Sequence, residues 1–75
     1  MRSMQNHPIQ YRRALMEILE TAADLGDRTE SRLIAEKLHI EAVTVDNEWQ
    51  QILKLLNVHS REDALRVARA LGLRA

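Results

Sequence analysis

Apolar residues recur along this chain at helical spacing, in four blocks separated by short polar breaks. In the first block Tyr11, Leu15, Ile18, Ala22 and Leu25 share one stripe, reinforced by Leu19, which is the pattern of a helix with one buried face. Asn6-His7-Pro8 predicts its start, because proline suits the first helical position. Gly26 predicts its end, since glycine takes the left-handed C-terminal conformation without strain. Asp27-Arg28-Thr29-Glu30 has the layout of a capping box, which predicts a second helix with Asp27 as cap and Glu30 reaching back. That helix carries Ile34, Ala35 and Leu38 and breaks at His39-Ile40. A longer run follows, from about Ala42 to Leu56, with Val45, Trp49, Ile52, Leu53 and Leu56 at i, i+4, i+7, i+8 and i+11. This stripe faces a core, so Asn47, Gln50, Gln51 and Lys54 point away from it. Glu41 is a weak cap for this helix, worse than Ser, Thr, Asp or Asn by about 1 kcal/mol. Asn57 ends it, and Ser60 caps a fourth helix whose expected buried stripe is Ala64, Val67, Ala68 and Leu71, closed by Gly72.

The fold class is therefore all-α, with four helices in one domain over residues 8–75 and an N-terminal tail over 1–7. Its middle, a short helix, a tight turn and a longer helix, is the pattern of a helix-turn-helix. At 75 residues the chain is one small domain, which buries only about 60% of its unfolded surface. The core is thus small, and Trp49, fully on the stripe, is its largest side chain.

Composition excludes several classes of function. There is no cysteine, hence no disulfide framework, no cysteine-type zinc finger and no thiol chemistry. No apolar run approaches the roughly 20 residues that span a membrane, and the start of the chain lacks a signal-peptide layout. The expectation is a cytoplasmic protein with no membrane partner. His7, His39 and His59 are scattered, without the spacing that gathers metal ligands. His59, Ser60 and Asp63 are triad residue types brought together by a helix cap, not by a shaped site. No metal, no cofactor and no enzymatic activity are expected.

The run Ile34-Ala35-Glu36-Lys37-Leu38, then Ile40, Thr44-Val45, Ile52-Leu53-Lys54, Leu56, Val58, Ser60-Arg61, Ala64 and Leu71-Gly72-Leu73 resembles the LuxR/GerE-type helix-turn-helix. The resemblance runs without a gap from Ile34 to the end of the chain and covers about half of it well. It implies the DNA-binding domain of a transcriptional regulator, with the helix over about 42–56 lying in the major groove of double-stranded DNA. It also implies a weak homodimer through the last helix, which here presents Leu65, Arg66, Arg69 and Leu73. In the family the cap of the second helix lies closer to the Ile-Ala pair than Asp27 does.

On the outward face, Asn47 and Gln50 are amides able to pair with adenine edges, and Gln51 and Lys54 follow beside them. Thr44 can donate to a phosphate near the helix start, while Arg28 and Arg32 can clamp the backbone from the second helix. The chain departs from the family on this same helix. Asp46 stands where the family has Lys or Arg, Glu48 where it has His, Glu41 where it has the capping serine, and Gln51 where it has Asn. An opening Leu-Thr-x-Arg-Glu signature is also missing. Net charge is zero, and between Lys37 and Lys54 every formal charge is negative: Glu41, Asp46 and Glu48. A DNA-binding face usually carries excess Lys and Arg, although a carboxylate at Asp46 can accept from a cytosine amino group. The alternative reading is a helix-turn-helix turned to protein contact through its acidic helix. Because Asp46 and Glu48 fall outside the core stripe, substitutions there are expected to leave stability nearly untouched.

Overall fold

The computed structural model describes the backbone over residues 8–72 and the side chains over 12–72. The tail over 1–7, the Asn6-His7 part of the first helix start, the Tyr11 side chain and Leu73 lie outside the described residues. Four helices follow one another: α1 Pro8–Asp24, α2 Ser31–Leu38, α3 Ala42–Leu56 and α4 Arg61–Ala70. Among the described residues there is no strand, and no helix is long and apolar enough to cross a membrane.

Helix α3 is the hub and packs against α1, α2 and α4. Val45, Trp49 and Ile52 are buried along its inner face, with Leu53 and Leu56 half-buried beside them. Trp49 is fully enclosed, in one cluster with Leu15, Ile18 and Ala22 of α1, Ile34 of α2 and Ala64 of α4. Leu15, Ile18, Leu19 and Ala22 are the buried stripe of α1, as their spacing predicts.

The turns follow backbone chemistry. His39 ends α2 in the left-handed conformation, φ 60°, and the N–H of Ile40 closes back on the carbonyl of Ala35 at 3.0 Å. Asn57 ends α3 in the same way, with φ 57° and Val58 donating to Leu53 at 3.0 Å. Both are Schellman-type endings that satisfy carbonyls left over by the helix. Glu41 precedes α3 without a side-chain cap, whereas Ser60 accepts from the Asp63 backbone N–H at 3.0 Å.

Two expectations are corrected. Asp27 does not cap α2: its φ is 65°, a left-handed backbone rather than the extended one an N-cap adopts. Glu30 stands at the cap position, without a side-chain cap bond. The expected capping box is thus replaced by a Glu30 side chain that accepts from Arg28 instead. In α4 the buried face is Ala64, Leu65 and Ala68, while Val67 is half-buried and Leu71 is 63% exposed. Leu71 lies at the C-cap, just past the last helical residue, with most of its surface open to solvent.

Candidate functional site

The outward side of α3 carries Val43, Asn47, Gln50 and Lys54 at steps of three and four residues, all exposed. Gln51 is exposed beside them, and Thr44 is half-buried near the helix start. Ile40, in the turn before α3, is 40% exposed and Val43 is 61% exposed. This face therefore combines two apolar side chains near its N-terminal end with amides in the middle and a cation at its C-terminal end.

Asp46 is not a bare charge on this face. Its carboxylate accepts a hydrogen bond from the Ser31 hydroxyl of α2 and one from Arg61 of α4, at 3.2 Å. The hydroxyl of Ser31, foremost, and the Arg61 guanidinium hold the Asp46 carboxyl below its ordinary range. Arg61 also donates to the Thr29 carbonyl at 3.0 Å and to the Ser31 hydroxyl at 3.1 Å. Helices α2 and α4 each pack on α3 but make no close backbone approach to each other, so Arg61 is a side-chain bridge between them across Asp46. The expectation that substitution at Asp46 leaves stability untouched is accordingly corrected: Asp46 is part of an interhelical clamp.

Glu48 lies on a different side of α3 from Lys54. It is half-buried, and its carboxyl is pushed upward, first by burial and then by the negative charge of Glu17 on α1. It faces α1 and not the outward surface.

The basic residues divide in a similar way. Arg28 is held in a bidentate pair by Glu30, at 2.6 and 3.2 Å. Arg32 is exposed and contributes to lowering the Glu30 carboxyl, after the Arg28 hydrogen bond and Glu30's own backbone bond. On α4 one residue expected at the dimer contact, Leu65, is corrected: it does not lie on the surface. Leu65 is only 6% exposed and belongs to the core. Arg66 pairs with Asp63 at 2.7 Å, and Arg69 reaches Asp27 at 2.5 Å. Of the four residues of the predicted patch, Leu65 is a core residue, Arg66 and Arg69 are paired within the chain, and Leu73 lies outside the described residues.

Ser31 and Arg61 were not anticipated as part of this site. A signal for Arg61 was present, since a cation in the first turn of a helix opposes the helix dipole and must be held by something else. Compared with protein families, curated proteins and solved structures, the chain matches none of them.

Proposed function

We propose that the chain is a DNA-binding domain of LuxR/GerE type, in which α2, the turn at His39–Glu41 and α3 form a helix-turn-helix and α3 enters the major groove. The carrying observation is the outward face of α3, where Asn47, Gln50 and Lys54 are all exposed on one side. Side chains of this kind read base edges and meet phosphates. Glu41 is exposed just ahead of α3, but the two acids within the helix do not stand as bare charges on its outward face. Asp46 is compensated by Arg61 and Ser31, and Glu48 turns toward α1. Arg32 and Lys54 are the cations best placed to meet phosphates; Arg28 reaches one by releasing Glu30.

Binding to a random-sequence DNA pool across a salt series tests this reading. The expected result is binding that weakens with salt at a slope of about one unit per phosphate contact. Absence of binding at low salt overturns it.

One observation favours the second reading, a protein partner on the same face. Ile40, in the turn before α3, and Val43, in its first turn, both expose apolar surface. Apolar contact with a thymine methyl group uses such residues too. Protein contact through them would show little dependence on salt, which separates the two readings in the same series.

A further inference from the structure

Val43, Asn47, Gln50 and Lys54 fall within an arc of about 60° on α3, at ~100° per residue, on the side away from Val45 and Trp49. Val43 is 61% exposed. Neither Asn47 nor Gln50 takes part in a side-chain hydrogen bond among the described residues, so both amides are open to an outside partner. The chemistry of this stripe is one-sided. Helix α3 contains no arginine, so the bidentate arginine–guanine contact has no donor there. Its one cation, Lys54, stands in the last turn, far from the N-terminal turns through which a recognition helix meets base edges. The carboxylate beside the stripe, Asp46, is taken by Ser31 and Arg61 and is not free to accept from a cytosine amino group. What remains for base contact is one aliphatic side chain and two amides.

We propose that this stripe selects A·T base pairs, with Val43 against a thymine methyl group and Asn47 and Gln50 each paired with the N6 and N7 edge of an adenine. The proposal rests on the DNA reading above and adds which bases α3 prefers. Each contact uses a feature that a G·C pair lacks in the major groove. Thymine alone carries the C5 methyl group there, and adenine alone sets an N7 acceptor beside an N6 donor. A side-chain amide matches that edge with its own donor and acceptor. Guanine offers two acceptors instead, which leaves the amide oxygen without a partner and costs the pairing its second bond. Val43 and Gln50 are separated by about 10.5 Å along the helix axis, or about three base-pair steps at ~3.4 Å each. The three contacts therefore fit within about four consecutive base pairs, in the order Val43, Asn47, Gln50.

Selection from a random-sequence duplex pool at low salt, followed by base-analogue replacement in the selected duplex, tests this. The selected sites are expected to share a short run dominated by A·T pairs. Replacing one thymine of that run by uracil removes only the methyl group. It is expected to weaken binding of the parent about fourfold and to leave Val43→Ser unaffected. Replacing an adenine by 7-deazaadenine removes only the N7 acceptor. It is expected to weaken the parent about fivefold or more at two positions. Asn47→Ala becomes insensitive at one of them and Gln50→Ala at the other. All three substitutions fall on the exposed face, where stability is little affected, and circular dichroism confirms that each variant stays folded. Binding that weakens with salt but shows no base preference, or that enriches G·C pairs, overturns this proposal and leaves the DNA reading standing. A uracil effect that persists in Val43→Ser overturns the role of Val43. No binding at low salt overturns the proposal and the DNA reading together.

Discussion

The guanidinium of Arg61 lies over the ring of Trp49, 5.4 Å from its centroid. The residue that bridges α2 and α3 from the first turn of α4 is therefore also the lid on the largest core side chain. Cation and ring attract through the ring quadrupole, by about 0.5–1 kcal/mol at exposed sites and more where water is excluded. Arg61 is partly buried, and its hydrogen bonds to Thr29, Ser31 and Asp46 depend on its planar fork.

Arg61→Ala is therefore expected to cost about 1–2 kcal/mol, and Arg61→Lys nearly as much, because an ammonium cannot serve three acceptors and a ring from one position. Urea unfolding measures both. A lysine variant equal to the parent would show that charge alone, and not the fork, matters here.

Trp49→Ala removes a fully buried side chain at the crossing of α1, α2, α3 and α4. Such truncations cost about 3–5 kcal/mol, and a small domain has little more than that to lose. The variant is expected to be largely unfolded at room temperature by circular dichroism. A melting temperature within a few degrees of the parent would mean that the core reorganises around the gap.

Asp46 and Glu48 are expected to act on stability with opposite signs in pH. The folded-state value of Asp46 is lowered, by Ser31 first and then by Arg61. Its stabilising contribution is present above the unfolded value of about 3.9 and is lost as pH falls through the lower folded value. Glu48 is raised by burial and by Glu17. Its ionised form is disfavoured in the fold, so its contribution is present below the unfolded value of about 4.3 and is lost as pH rises through the folded one. Asp46→Asn should flatten the acid limb of the stability curve. Glu48→Gln should leave that limb in place and raise stability at neutral pH, by less than about 0.5 kcal/mol. Melting temperatures between pH 2 and 7 read both, and a shared direction would contradict the assignment of causes.

The long helices were legible and the ion pairs were not, for a physical reason. The limits of α3 follow from periodicity together with Asn57, a left-handed stop, so Ala42–Leu56 could be read from the residues alone. The Asp27-to-Glu30 stretch misled because a capping box is defined by local spacing, while both acids serve other partners. Asp27 receives Arg69 from α4, forty-two residues on, and Glu30 receives Arg28. The clamp on Asp46 has the same origin, since Ser31 and Arg61 lie 15 residues before and after it. Such pairs exist only once α2, α3 and α4 are docked. Leu65 illustrates a smaller limit: a weakly apolar helix leaves a rotation of one residue undetermined until it meets its neighbours.

His39 is a test of backbone strain. It occupies φ 60° at the end of α2, where an L-residue with a Cβ is disfavoured by about 1–2 kcal/mol. Histidine is exposed there and no side-chain hydrogen bond of it is seen among the described residues. His39→Gly relieves the strain but gives the unfolded chain more freedom, which offsets part of the gain. The net expectation is a stabilisation of about 0.5–1 kcal/mol in urea unfolding. No gain would mean that the αL cost is already offset by contacts of the imidazole.

The outward face of α3 yields the sharpest functional expectation, because its residues differ in what they should report. Lys54 ends the face as a point charge near the last turn. Under the DNA reading, Lys54→Ala weakens binding to all sequences alike and lowers the salt slope by about one unit. Gln50 sits one turn earlier and presents an amide, so Gln50→Ala should leave the slope unchanged. It should instead reduce discrimination at one base pair, by about 1–3 kcal/mol. Asp46→Lys is the informative third variant. It adds a cation but breaks the hydrogen bonds to Ser31 and Arg61 and places like charges together, so it should bind DNA more tightly at low salt while unfolding more easily. Affinity and melting temperature moving in opposite directions would mark Asp46 as a brace that limits DNA contact. Loss of both specificity and affinity in Asp46→Lys, with the fold intact, would instead make Asp46 a reader of cytosine.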